Sequence, residues 1–171
     1  MSMLSESVFP VSDDEAFLRE AMAEAHHAQL SGEVPVGAVI VRDGVVLARG
    51  RNRVIADCDP TAHAEIVAIR EAGRLIGNYR LENCDLYSTL EPCAMCAGAI
   101  LHARIRRLVY AASDPKAGAC GSVLQVINHP KLNHQVEVTA GVLSDECSAL
   151  VSNFFRARRT KPKEVASNGG E

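Results

Sequence analysis

The chain has no marked excess of charge of either sign. Its 18 Lys and Arg against 21 Asp and Glu leave a formal net charge of −3 over 171 residues, so global electrostatics select no polyanionic partner. No apolar run approaches the ~20 residues that a membrane span requires; the longest covers residues 34–41, which excludes a transmembrane helix and implies no membrane partner. No basic start followed by an apolar core opens the sequence, so a secretory signal is not expected. The six cysteines, Cys58, Cys84, Cys93, Cys96, Cys120 and Cys147, follow no framework spacing. That argues against a disulfide-stapled secreted fold and for a reducing, cytoplasmic setting. Internal repeats and low-complexity segments are missing as well.

What is present suits one ordinary domain. Apolar content of 47% and charged content of 23% allow a sizeable core, and a single domain over residues 1–160 is expected. Residues 161–171 turn polar and small, which predicts a disordered tail. Charge is unevenly spread: the first 33 residues hold seven acids and one Arg, whereas residues 156–163 hold five bases and no acid.

The hydrophobic pattern predicts alternating strands and helices. Ser12 and Glu15 form a capping box before a helix with Phe17, Ala21, Ala25 and Ala28 on one stripe, ending near Gly32. Residues 35–41 read as a buried strand, Asp43 and Gly44 as a hairpin turn, and residues 45–51 as the return strand. Thr61 caps a helix through Ala72 with His63 and Glu65 in its first turn. Residues 85–89 form a strand that feeds a helix at residues 93–102. Strands follow at 107–112 and 136–139, with a short helix near 122–127 between them. Ser144 caps a last helix, where Cys147, Leu150, Val151, Phe154 and Phe155 share one face. A hairpin followed by crossovers predicts an α/β sandwich with a mixed sheet, its later strands parallel.

The chemistry concentrates in two short motifs. Cys93 and Cys96 lie three positions apart on the first turn of a helix, where backbone N–H groups stabilise thiolates. His63, thirty positions earlier, supplies a third ligand. Three such ligands suit Zn²⁺ with its fourth tetrahedral position left to water, whose pKa falls from about 16 to about 7 on the metal. Glu65, two residues past His63, stands within reach of that water without binding the metal. The combination predicts hydrolytic attack on an amine-bearing carbon, with Glu65 carrying protons.

His63-Ala64-Glu65 with Pro92-Cys93-Ala94-Met95-Cys96 matches the signature of the zinc nucleobase deaminases. Over roughly residues 33–159 the chain resembles the bacterial tRNA adenosine deaminases. The stretches 33–38, 59–65, 78–81 and 89–93 carry the likeness, together with Lys116, Gly118, Ala119, Asn133, His134, Phe154, Phe155, Arg156, Arg158 and Arg159. The resemblance implies a cytidine-deaminase-like fold, a three-layer α/β/α sandwich on a five-stranded mixed sheet. It also implies a homodimer with one Zn²⁺ per subunit, acting on the wobble adenosine of a tRNA anticodon stem-loop to give inosine. Carried over by position, Asn52 holds the purine edge. Asp114 and Lys116 shape the anticodon pocket with Asn133 and His134 beside it, and Arg156, Arg158 and Arg159 meet RNA phosphates. Position 117 is Ala where the family often has Thr, and Cys120 replaces a more usual Ala.

Two other functions fit parts of the pattern. A free-base or nucleotide deaminase acting on guanine, cytosine or dCMP needs the same metal set but not the basic helix end. A zinc-stabilised RNA-binding module needs a fourth protein ligand, for which Cys58 is the nearest candidate in sequence, and has no use for Glu65. Arg49, Arg51 and Arg53 alternate onto one side of their strand around Asn52, which suggests an RNA-facing edge.

Overall fold

The turn at Asp43 and Gly44 folds β1 (Gly37–Arg42) back on β2 (Val45–Arg51), antiparallel, with a register shift between Ile40 and Val41. Val39, Ile40 and Val41 are buried on both sides of the sheet, as a strand covered by helices on each face must be. In this computed structural model, which describes residues 13–161, β1 also pairs antiparallel with β3 (Cys84–Leu90). β3 pairs parallel with β4 (Arg107–Ala112), and β4 parallel with β5 (Glu137–Ala140). The order β2-β1-β3-β4-β5 is the expected five-stranded mixed sheet.

Helices cover both faces. α2 (Ala64–Ile76) and α3 (Ala94–His102) pack on one side through Ala64, Ala68, Ala97 and Ile100, against Ala38, Leu86 and Leu108. α1 (Asp13–Leu30) and α4 (Ser144–Thr160) pack on the other through Leu18, Ala21 and Cys147, against Val39, Tyr87 and Val109. Cys84 and Cys147, buried and without disulfide partners, behave as small hydrophobes in these layers. Close approach of α2 to the sheet depends on Gly50, where a Cβ would stand 2.1 Å from the Ala64 carbonyl oxygen. That contact sets the start of α2, and with it His63.

The acid-rich N-terminal region has a structural use. Asp14 forms a paired hydrogen bond with Arg107, while Glu20 and Glu24 pair with Arg49 and Arg51. α1 thus neutralises the outer strand it covers.

Several local expectations are revised. Residues 122–127 form turns and an isolated bridge between Cys120 and Gln125, not a helix, because the loop is tied inward by side-chain contacts described below. α2 starts two residues later than a Thr61 cap predicts: Thr61 is bound to the Asp59 carboxylate, and His63 is the N-cap. It also runs past Ala72 to Gly77, whose φ of 73° closes it in the left-handed conformation. Leu143, not Ser144, precedes the last helix as its N-cap. The Ser12 cap and residues 162–171 of the expected tail lie outside the described residues. None of the described helices is long and apolar enough to cross a membrane.

Candidate metal centre and base pocket

Two helix N-termini and the carboxyl ends of β3 and β4 converge at one end of the sheet, the usual place for a ligand in a parallel α/β layer. His63 is the N-cap of α2 and Cys93 the N-cap of α3, both with extended backbone and neither capping its helix with its side chain. Both side chains are therefore free to turn toward each other. Pro92 precedes the Cys93 cap, two positions before the first helical residue, Ala94.

His63 Nδ1 lies 3.6 Å from Cys93 Sγ and 3.6 Å from Cys96 Sγ. A tetrahedral zinc with Zn–S near 2.3 Å and Zn–N near 2.05 Å separates N from S by about 3.6 Å. The three ligand atoms lie within 4.8 Å of one another and form a single three-residue cluster among the described residues. The donor set and its spacing fit zinc. Cys58 does not join the cluster; it is exposed and its thiol points to the Ile55 carbonyl oxygen at 3.7 Å. Among the described residues no fourth protein ligand closes the site.

The electrostatics match. Hydrogen bonding from Cys96 and from the His63 ring holds the Cys93 thiol down at about 3, against the opposing effect of burial. The Cys96 thiol is pushed up by its hydrogen bond to Cys93 and by burial. A divalent cation at this point relieves both groups by binding them as thiolates.

Glu65 is 3% exposed, one residue inside α2. Burial, foremost, pushes its carboxyl up from the ordinary range, which suits a group that accepts and returns protons. The Ser88 hydroxyl, buried on β3, donates to the Leu90 carbonyl at 2.8 Å and lies 3.5 Å from Glu65 Oε1.

A cavity of about 200 Å³ opens over this cluster, lined by Asn52, His63, Glu65, Glu91, Cys93 and Asp114, with Val34, Val36, Leu90 and Ala117 as apolar wall. It is smaller than the ~300–1,000 Å³ typical of drug-sized ligands and is scaled to a single base. Asn52 Oδ1 is buried without a hydrogen-bond partner among the described residues, an acceptor still lacking a donor. Asp114 lines the pocket while its Oδ1 accepts the N–H groups of Lys116 and Ala117 at 3.0 and 3.3 Å. Lys116 itself is exposed and outside the lining.

The remaining expected contacts lie elsewhere. Asn133 and His134 line a different cavity, about 540 Å³, with Arg80, Arg104 and Arg106, and His134 Nε2 donates to the Ile105 carbonyl at 2.7 Å. That larger cavity contains no metal cluster among the described residues; the chemistry belongs to the smaller one. Arg158 donates to the Gly32 carbonyl at 3.1 Å and stands 4.8 Å over the Phe154 ring. Arg156 contacts Asn153, and Arg159 has no such contact among the described residues. Arg49, Arg51 and Arg53 are paired with Glu20, Glu24 and Asp57, so that edge is largely neutralised within the chain.

Two buried carboxylates near the pocket are not evident from the sequence alone. Glu33 accepts the N–H groups of Ile55 and Ala56, both at 2.8 Å, and braces the loop after Asn52. Glu91 gathers the loop that carries Asp114. Both lie in stretches that carry the family likeness, 33–38 and 89–93, and each adjoins an apolar run, but neither signal shows what the carboxylate binds.

Residues 11–112 match the family model of the cytidine and deoxycytidylate deaminase zinc-binding region. The tRNA-specific adenosine deaminase of Haemophilus influenzae is 53% identical over 151 residues, 88% of this chain and 87% of that protein. A solved tRNA:A34 deaminase, which carries out A-to-I editing at the wobble position, superimposes with a TM-score of 0.77 at 47% identity, covering 79% of this chain and 98% of its own. A guanine deaminase from Nitrosomonas europaea is more distant in sequence, at 25% identity with a TM-score of 0.72 over 82% of this chain and 83% of its own.

Proposed function

The chain belongs to the cytidine and deoxycytidylate deaminase family, and within it to the tRNA-specific adenosine deaminases; on that footing we propose that it converts adenosine to inosine at the wobble position, 34, of a tRNA anticodon. The observation that carries the reading is a buried proton carrier, Glu65, beside a three-ligand metal cluster in a pocket the size of one base.

His63, Cys93 and Cys96 would hold one zinc ion per subunit, which would supply Lewis-acid activation of water at neutral pH. Glu65 takes a proton from the attacking water and passes it to the purine ring nitrogen beside the reacting carbon. The same carboxylate then takes the proton of the newly added hydroxyl and delivers it to the departing amine, so that the carbonyl forms as ammonia leaves. Adenosine and water give inosine and ammonia, with Glu65 regenerated. Asn52 supports base selection through its buried, unpartnered Oδ1. Val34, Val36 and Leu90 exclude bulk water and fix the ring plane. Asp114 and Lys116 shape the pocket rim, and Arg156, Arg158 and Arg159 offer the cationic end of α4 to RNA phosphates. Asn133 and His134 support the RNA only from outside the base pocket.

The functional unit in this reading is a homodimer in the cytoplasm. Six free thiols support the compartment. An apolar groove of about 330 Å³ beside Gly98, Leu101, Val126 and Leu132 supports a second copy docking along α3.

The guanine deaminase likeness keeps a free-base substrate as the second reading. Incubating the zinc-loaded protein with an anticodon stem-loop bearing adenosine at the wobble position, alongside free guanine, cytosine and dCMP, separates the two. Inosine in the RNA with the small molecules unchanged is the expected result. Turnover of a free base or nucleotide with the RNA untouched overturns it.

A further inference from the structure

Glu91 directly follows β3 and is 2% exposed, yet no cationic side chain pairs with it among the described residues. It does not belong to the metal cluster. Its carboxylate instead collects four hydrogen bonds from one loop. Oε2 accepts the Asp114 N–H at 2.9 Å and the Ser122 hydroxyl, while Oε1 accepts the N–H groups of Cys120 and Ser122 at 3.0 and 3.1 Å. The middle of the loop closes over the same group: a Cβ on Gly118 would stand 2.4 Å from the carboxylate carbon and from Oε2. Ala119 N–H donates to the Pro92 carbonyl at 2.8 Å, stitching the loop to the turn that carries Cys93.

One side chain therefore fixes the start, middle and end of residues 113–122. This loop has few apolar anchors of its own; Ser113, Lys116, Gly121 and Ser122 are all exposed. Segments so built open at little free-energy cost unless held by specific contacts. Two loop residues, Asp114 and Ala117, form a wall of the base pocket, and Glu91 lines it beside them.

We propose that Glu91 is the positioning residue of the base pocket. It holds Asp114 and Ala117 at the separation from Glu65 that seats the RNA adenosine, and so governs substrate affinity more than chemistry. The inference rests on the reading of the chain as an RNA adenosine deaminase. Preorganising this wall removes an ordering cost that binding would otherwise bear.

The isosteric variant Glu91→Gln isolates the effect. Placing the new NH₂ at the Oε1 position confronts two amide donors, Cys120 and Ser122. At the Oε2 position it confronts one amide donor, Asp114, because the Ser122 hydroxyl can rotate to accept. The side chain takes the second orientation and releases Asp114, the pocket-lining residue. A buried donor left facing a donor disfavours the closed loop.

The test measures steady-state kinetics on the wobble-adenosine stem-loop, zinc content and amide hydrogen exchange, for wild type and Glu91→Gln. Full zinc, a KM raised about tenfold or more with kcat changed far less, and weakened protection at the Asp114 amide are expected. Ser122→Ala, an exposed change that removes one donor and leaves the pocket lining alone, should raise KM in the same direction by less. An unchanged KM in both variants, or a fall in kcat alone, overturns the proposal. If wild type does not deaminate the RNA, the proposed function fails on its own. Hydrogen exchange still judges the clamp, and undiminished protection at Asp114 in Glu91→Gln overturns it.

Discussion

Asp14 and Arg107 face each other through two parallel hydrogen bonds of 2.7 and 2.8 Å, tying the first turn of α1 to the first residue of β4. Tyr87 donates its hydroxyl to the same carboxylate at 2.9 Å, and Arg107 also donates to Thr139 at 2.8 Å. The Arg107 guanidinium, first, and the Tyr87 hydroxyl hold the Asp14 carboxyl below its ordinary range, against the opposing effect of burial. Asp14→Asn should destabilise the fold by about 1.5–3 kcal/mol near neutral pH, read as a lower Tm. Because the folded carboxyl is the stronger acid, its contribution is complete above the unfolded pKa of about 3.9 and disappears as pH falls through the folded value. The Tm gap between wild type and variant should be constant above about pH 5 and close at more acid pH. A gap that widened on acidification would contradict this assignment.

Glu65→Ala should abolish deamination while leaving zinc and fold in place, since Glu65 lies beside the cluster without belonging to it. General acid–base groups contribute ~10²–10⁴-fold, and one that serves successive proton transfers stands at or above that range. Turnover measured together with metal content checks it. Near-normal activity, or loss of zinc, would remove Glu65 from this role.

Cys93→Ser and Cys96→Ser should each lose zinc, activity and thermal stability together. Both sulfurs lie 3.6 Å from His63 Nδ1, and metal binding to such a set is coupled to folding. Metal analysis of the purified variants decides it. A full equivalent of tightly held zinc in either would require another ligand, with Cys58 the first to examine.

The basic end of α4 should divide its labour. Arg158 is engaged with the Gly32 carbonyl and the Phe154 ring, whereas Arg159 is free of such interactions among the described residues. Arg158→Ala should therefore lower Tm as well as RNA affinity, and Arg159→Ala should lower affinity alone. The stem-loop affinity of each variant should fall less steeply with salt, by ~0.7 log units per log unit of salt for each phosphate that is no longer neutralised. Slopes equal to wild type would make this helix end solvated surface.

Much of this architecture is legible in local pattern. Short apolar runs between turn signals locate all five strands, and the turn at Asp43 and Gly44 sets the hairpin. The spacing of His63, Glu65, Cys93 and Cys96 is readable because each pair occupies one helix start, where sequence distance translates directly into space. Contacts across the fold are not readable in that way. Arg49, Arg51 and Arg53 look like a free basic edge until α1 brings Glu20 and Glu24 against it. Residues 122–127 carry Val, Leu and Ile at spacing that suits a helix, but Glu91 draws Cys120 and Ser122 inward and converts the segment to turns. His134 is taken up by the Ile105 carbonyl, a partner that only the packing of the chain supplies.

The central claim is that water, activated beside Glu65, displaces the amine of an RNA adenosine. It is tested most directly by running the reaction on a wobble-adenosine stem-loop in oxygen-18 water and weighing the released nucleosides. The account predicts inosine at that one position carrying a single heavy oxygen. Adenosine recovered intact under conditions where free guanine is deaminated, or inosine without the heavy oxygen, would contradict it.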